Sequence, residues 1–222
     1  MSMPHSPDEL QRLYEKRFSG QCEYRNSIWR VLVNNFFAKW IPEEATVLDL
    51  GCGHCEFINN VRSKTRLGMD LNPDSAKCAA PGVRILMQNC SETWALPDDS
   101  LDVVFTSNFF EHLSTKHDLR DTLLQARRCL RPGGRLIALG PNIRYLLGKY
   151  WDFYDHHLAL TDLSLGEVMT ETGFILERQI PRFLPYTMSR NRQIPLWMLR
   201  FYLKLTIAWP LFGKQFLIVI RK

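Results

Sequence analysis

Three groups of residues have types and spacings suited to chemistry. The first is Asp49-Leu50-Gly51-Cys52-Gly53, followed by Asp70 seventeen residues after Gly53. Two glycines at a turn let backbone pass close to a ligand, because glycine tolerates positive φ. An acidic residue ending the next strand accepts hydrogen bonds from ribose hydroxyls in sheets of this kind. The second group is Ser107-Asn108-Phe109-Phe110-Glu111-His112. Ser107 and Asn108 offer polar contacts to a cofactor or a substrate, and His112 exchanges a proton near neutral pH. Glu111 and His112 either serve the chemistry or orient the loop. They are also adjacent metal donors, but two donors are too few to define a site, so no metal is expected. The third group is Tyr150-Trp151-Asp152-Phe153-Tyr154-Asp155-His156-His157. Aromatic rings stack on a sugar or another ring, and an Asp–His pair orients and deprotonates a hydroxyl. His156 or His157 paired with Asp155 or Asp152 is therefore the expected general base. The structural alternative is that His157 caps the next helical stretch and the aromatics are core.

These groups need elements to position them. Apolar runs predict strands at 46–50, 66–70, 83–87, 101–107, 134–140, 174–180 and 215–221. Amphipathic spacing predicts helices at 8–18, 25–40, 54–63, 73–79, 115–130 and 161–172. Pro132-Gly133-Gly134 is a turn signal after the helix at 115–130. Strands alternating with helices predict a parallel α/β sheet covered on both faces. In such sheets ligands bind beyond the carboxyl ends of the strands, where all three groups fall. The expected organisation is one domain over 1–222, with N-terminal helices within 8–40 and insertions at 141–160 and 181–213. A dinucleotide is disfavoured, because the third glycine of G-x-G-x-x-G is replaced by Glu56.

Cys52-Gly53-His54-Cys55 also has the form of a thiol–disulfide redox frame before a helix, where a thiol pKa falls. The surrounding motifs favour another use. VLDLGCGHCEF, GMDLN, LDVVFTSNFFEHL and RCLRPGGRLIALGPN resemble, in order and distance, the successive motifs of class I S-adenosylmethionine-dependent methyltransferases. The resemblance covers about 45–180 and the last strand. It implies a Rossmann-like, doubly wound α/β sheet of about seven strands with the last antiparallel, and S-adenosylmethionine as cofactor. It places Asp49, Gly51 and Gly53, with Cys52 between them, at the methionine end of the cofactor. It places Asp70 on the ribose and Leu71 against adenine. Where the family often has Asp facing the adenine amino group, this chain reads Gln88-Asn89-Cys90-Ser91. Asn89 can accept there through its amide oxygen, with Cys90 beside it. Ser107 and Asn108 complete the implied cofactor set.

Composition and charge narrow the acceptor. The 222 residues are 45% hydrophobic and 23% charged, which excludes a disordered, collagen-like or disulfide-stapled chain. Residues 194–212 are apolar-rich but interrupted by Arg200, Lys204 and Pro210, so a membrane-spanning helix is not expected. The first residues lack the apolar core of a secretion signal, and six scattered cysteines suit a reducing compartment. A cytoplasmic enzyme is expected.

The formal net charge of +5 hides an asymmetry. Nine Lys or Arg and no Asp or Glu lie between Arg178 and Lys222, together with eight aromatics. The preceding residues carry 19 basic and 23 acidic groups. In the 181–213 insertion, Arg200 and Lys204 share one helical face and Leu196, Leu199, Leu203 and Ile207 another. This is the pattern of a helix lying at an anionic membrane interface. The alternative is a lid packed on the domain, with basic stems snorkelling over it. From GPNIRY through WDFYDHH to GKQFLIVIRK the chain is similar to bacterial methyltransferases of surface-glycan assembly. That similarity implies a lipid- or nucleotide-linked sugar hydroxyl as acceptor and peripheral attachment to the inner membrane face. The rivals are a quinone-like or phenolic small molecule under a lid, and a non-catalytic binding protein of this fold. A nucleic-acid partner is not expected.

Overall fold

The structure is a computed structural model that describes residues 22–186 and 193–222. The helix expected at 8–18 lies outside the described residues. One seven-stranded sheet carries everything else: β1 (Thr46–Leu50), β2 (Thr65–Asp70), β3 (Val83–Met87), β4 (Leu101–Ser107), β5 (Leu130–Pro141), β6 (Ile175–Leu184) and β7 (Gln215–Arg221), in the order β3-β2-β1-β4-β5-β7-β6. All neighbours pair in parallel except β7, which is antiparallel to both β5 and β6. This is the expected Rossmann-like, doubly wound sheet with its last strand reversed. The chain runs outward from β1 to β3 and then returns to place β4 on the other side of β1. Sheets of this kind bind ligands at such a reversal, here beyond the carboxyl ends of β1 and β4.

Alternation along the strands divides the core. Leu48, Leu50, Val104, Leu136 and Ala138 face one cluster, while Val47, Val103, Phe105, Ile137 and Leu139 face the other. The first is covered by α3 (Lys116–Cys129) and α5 (Asp162–Glu171), through Leu119, Leu123, Ala126, Leu165 and Met169. Both helices begin with a capping box, on Thr115 with Asp118 and on Thr161 with Ser164, which satisfies otherwise orphaned N–H groups. The second cluster is covered by α1 (Cys22–Asn35) and α6 (Leu196–Lys204), which pack on each other as well as on the sheet. Tyr24 Oη donates to the Ile194 carbonyl at 3.1 Å and accepts from the Ile194 N–H at 2.8 Å. Short α2 (Asp74–Cys78), α4 (Ile143–Leu146) and α7 (Trp209–Phe212) fill the connections.

Three sequence expectations need correction. The helix expected over 25–40 ends at Asn35, and Phe37–Trp40 is a separate 3₁₀ turn. The bend at Phe36 turns both Phe36 and Phe37 into the core. No α-helix spans 54–63; a 3₁₀ turn covers Ile58–Asn60. Gly53 and Cys55 have φ of 49° and 61°, a left-handed backbone that interrupts a helix. Pro132-Gly133-Gly134 is not a turn between elements. Leu101 pairs with Leu130 and Val103 with Arg135, so the segment bulges within β5.

Phe105 holds the second cluster together. It is fully buried, with its ring stacked on Phe57 at 3.6 Å and 12° and edge-on to Trp29 and Phe37. Phe105→Ala should lower the unfolding free energy by about 3–5 kcal/mol in urea denaturation. A loss below about 1 kcal/mol would contradict this packing.

Candidate active site

The turn after β1 is built around Gly51. Its φ is 71°, and a Cβ there would sit 2.3 Å from the Phe109 ring. Only glycine lets the loops after β1 and β4 approach this closely. Asp49, on β1, is buried, and the Ile58 N–H donates to its carboxylate. Burial lifts its pKa well above the usual range, and the neighbouring Asp70 and Glu56 charges add to this against the Ile58 bond. Asp70 ends β2. Its Oδ2 accepts the Gly53 N–H at 2.7 Å and its Oδ1 accepts the Asn72 N–H at 2.8 Å. Burial raises its pKa, opposed by these backbone bonds. The clamp fixes the glycine turn and leaves each oxygen a second lone pair for a ligand hydroxyl. Leu71 follows, half-buried at the same edge.

At the end of β4, Asn108 adopts a left-handed φ of 50°. Its N–H donates to Leu139 at 2.9 Å, and its amide donates to Ser107 Oγ at 3.0 Å. Its amide oxygen is buried without a hydrogen-bond partner, as is the Thr106 hydroxyl beside it. A buried acceptor without a donor costs free energy unless a ligand supplies one. The ammonium of S-adenosylmethionine is such a donor. With the Gly51 cradle and the Asp70 carboxylate, this set fits that cofactor. Asp49, Gly51, Gly53, Asp70, Leu71, Ser107 and Asn108, which the resemblance and the strand ends assign to that cofactor, gather where β2, β1 and β4 end side by side.

Two assignments change at the end of β3. The Asn89 oxygen accepts from Ser91 through both its N–H, at 3.1 Å, and its hydroxyl, at 3.0 Å. An amide oxygen has two lone pairs, so the expected adenine contact through this atom is already spent on a local turn. The Cys90 thiol faces the core, where it accepts from the Thr122 hydroxyl at 3.4 Å. The Cys52 and Cys55 sulfurs lie 3.9 Å apart and are buried. The Cys55 hydrogen bond, with burial, pushes the Cys52 thiol pKa well up, the reverse of what a redox nucleophile needs.

The second and third residue groups meet, which the sequence could not show. The backbone N–H groups of His157 and Leu158 both donate to the Glu111 carbonyl, at 2.8 and 3.1 Å. This strap brings Asp155 to His112. His112 Nδ1 lies 3.2 Å from Asp155 Oδ2 and 3.0 Å from the Asp155 carbonyl. Both are acceptors, so Nδ1 carries a proton and Nε2 is left to face the site. Nε2 lies 4.0 Å from the carboxylate of Glu111, which is 2% exposed. Burial pushes the Glu111 pKa up to about 7. Burial works against a charged His112, but Asp155 and Glu111 outweigh it and raise its pKa.

Asp155 thereby pairs with His112, which is 43 positions away, a partner that the sequence reading did not give it. His156 is buried, edge-on to the His112 ring at 5.0 Å and stacked on Phe153 at 5.2 Å. His157 is exposed, and the cap of α5 is Thr161 instead. The aromatics divide. Tyr150 is core, its hydroxyl bonded to Leu158, whereas Trp151 and Tyr154 are exposed. Phe109 is a site-forming residue that the sequence reading does not single out; two consecutive rings after a polar strand end are the available signal.

Comparison with known proteins bears on the domain and the fold. Residues 48–138 match the family model described as a methyltransferase domain. A S-adenosylmethionine-dependent methyltransferase from Archaeoglobus fulgidus is 21% identical, with a TM-score of 0.68, covering 95% of this chain and 99% of that one. A possible histamine N-methyltransferase from Thermotoga maritima is 16% identical, with a TM-score of 0.68, covering 96% and 99%. A Bacillus halodurans methyltransferase structure is 16% identical, with a TM-score of 0.63, covering 86% and 98%. No curated protein matches the chain. Residues 48–138 thus match a methyltransferase domain, and the sheet as a whole has the fold of S-adenosylmethionine-dependent methyltransferases.

Asp70→Ala should weaken S-adenosylmethionine binding about 10- to 100-fold, the loss of a charge-assisted hydrogen bond of about 1.5–3 kcal/mol. Asn89→Ala should change it less than about threefold, because its oxygen is committed to Ser91 and substitutions away from a site cost little. Calorimetric titration of the cofactor measures both, and unchanged affinity in Asp70→Ala would remove that residue from the site.

Proposed function

We propose that the enzyme methylates a hydroxyl of a lipid-linked sugar in glycan assembly, on the cytoplasmic face of an anionic membrane. The observation that carries this reading is the outer surface of the segment before β7. Trp197, Phe201, Ile207, Leu211 and Phe212 are 61% to 73% exposed, with Arg200 and Lys204 exposed among them. The expected apolar face behaves differently. Leu199 and Leu203 pack inward on the sheet side, as a lid would. The interfacial character therefore rests on the opposite side of α6, where aromatic and basic residues alternate. No helix among the described residues is long and apolar enough to cross a membrane. Attachment of this kind is peripheral and draws about 1 kcal/mol from each cation near an anionic surface.

Placement supports the same reading. The connection from β6 to β7 leaves and rejoins the sheet at the carboxyl edge, where Pro141 pairs with Gln215. Asp70, Asn108 and His112 lie at that edge, so attachment would turn the site towards the bilayer. Trp151 and Tyr154 offer exposed rings for a sugar. The Glu111–His112–His156 cluster, with Asp155 behind it, is where the acceptor hydroxyl loses its proton. The oxygen then displaces the sulfonium in line, and alignment of the two supplies about 7–11 kcal/mol of the barrier reduction. The inward packing of Leu199 and Leu203 favours one second reading, a soluble phenolic or quinone-like acceptor beneath a lid.

Arg200→Glu combined with Lys204→Glu should abolish flotation with anionic vesicles at low salt and leave cofactor affinity unchanged. Wild-type protein that ignores such vesicles would decide for the soluble acceptor. Labelled-methyl transfer into fractionated cell extract, read by mass spectrometry, identifies the product. In that assay His112→Ala should lower turnover about 10²- to 10⁴-fold, while His157→Ala stays near wild type.

A further inference from the structure

We infer that Glu111, His112 and His156 bind one divalent first-row metal ion, which receives the acceptor hydroxyl. Each residue offers one ligand atom, and the three atoms lie within 4.8 Å of one another. Among the described residues this is the cluster of histidines, cysteines and acids with that geometry. Ions of this class bind such ligands at about 2.0–2.2 Å, so a small inward movement of the side chains closes the set. Two histidines and one carboxylate, with a position left open, are a donor set of catalytic zinc. His112 is the member at the opening, with its side chain 27% exposed, while Glu111 and His156 are buried.

Three further observations support an ion here. The Asp155 carboxylate and carbonyl both take the Nδ1 proton of His112, which aims the Nε2 lone pair at the cluster. This is the carboxylate–histidine arrangement that orients metal ligands. The ring of His156 is fixed between Phe153 and Tyr150, stacked on one and edge-on to the other. The Glu111 carboxylate is buried with two imidazoles, one ring nitrogen of each lying within 4.8 Å of it. Sequence spacing supplied two donors; the strap from Glu111 to His157 and Leu158 brings the third.

The inference rests on the reading that the acceptor is a hydroxyl. The coordinated O–H gives its proton to solvent water. Its oxygen forms the bond to the methyl carbon as the S–C bond breaks, and that electron pair stays on sulfur. Methyl and charge balance without another reactant.

The test is titration of chelator-stripped, full-length protein with Co²⁺, followed by absorbance and calorimetry. Wild type should bind one equivalent, with a visible spectrum of nitrogen and oxygen ligands. Glu111→Gln and His156→Ala should each weaken binding at least tenfold, and Asp155→Asn by about 10- to 100-fold through its hold on the His112 ring. His157→Ala should bind as wild type does. Retained S-adenosylmethionine binding certifies that each variant is folded. No stoichiometric binding by wild type, a thiolate-to-cobalt band, or binding that survives both Glu111→Gln and His156→Ala would overturn the site. Methyl transfer to a hydroxyl that persists undiminished in excess chelator would overturn the metal and leave the hydroxyl acceptor standing. Transfer to nitrogen alone would overturn the acceptor reading without bearing on the titration.

Discussion

The Glu111 carbonyl accepts two consecutive backbone N–H groups, from His157 and Leu158. The rest of the site depends on that contact. It ties the insertion after β5 to the loop after β4, two segments that would otherwise leave the sheet independently. With the tie in place, Asp155 reaches His112, and His156 closes the third side of a buried group. Without it, nothing in the sheet would bring the rings of His112 and His156 to within 5.0 Å of each other. Backbone bonds of this kind are indifferent to side-chain identity, so the juxtaposition survives substitution of any one of the side chains it gathers.

Most of the sheet was legible because its strands are apolar runs bounded by turn residues. All seven appear within a few residues of their expected limits, and the reversal of β7 follows the resemblance in the motifs. The turn at 51–60 was not legible as a non-helix. Its helical pattern is real, with Cys55, Phe57 and Ile58 all buried, but the left-handed backbone at Gly53 and Cys55 prevents propagation. Periodicity reports which side chains go inside and not how the backbone delivers them.

Within the site, the cofactor half was legible and the catalytic half only in composition. Gly51 and Asp70 were readable because a glycine turn and an acid at the next strand end answer to the same ligand. Asn89 misled, because the sequence shows which groups can accept a hydrogen bond and not which are already accepting one. The Asp155–His112 pair links positions 43 apart through a loop whose path no local pattern encodes. Likewise, the helical repeat in α6 separated two faces correctly but could not say which one the sheet would claim. Leu199 and Leu203 went inward because α1 and the second core cluster offered them a surface, leaving Trp197 and Phe201 outside.

The strand order also shapes how the molecule is made. β7 is the last strand in the chain order, yet it occupies an inner lane, between β5 and β6. Until it arrives, β5 has no partner on its outer side and β6 has none from the sheet at all. A chain emerging in order from the ribosome therefore passes through a stage in which the outer side of β5 and both sides of β6 are open, each an invitation to pair with another molecule. The cofactor crevice between β1 and β4 can be formed at that stage. The part of the sheet that carries the cap cannot, so the exposed aromatic and basic surface before β7 is completed only after the strands at the centre of the sheet.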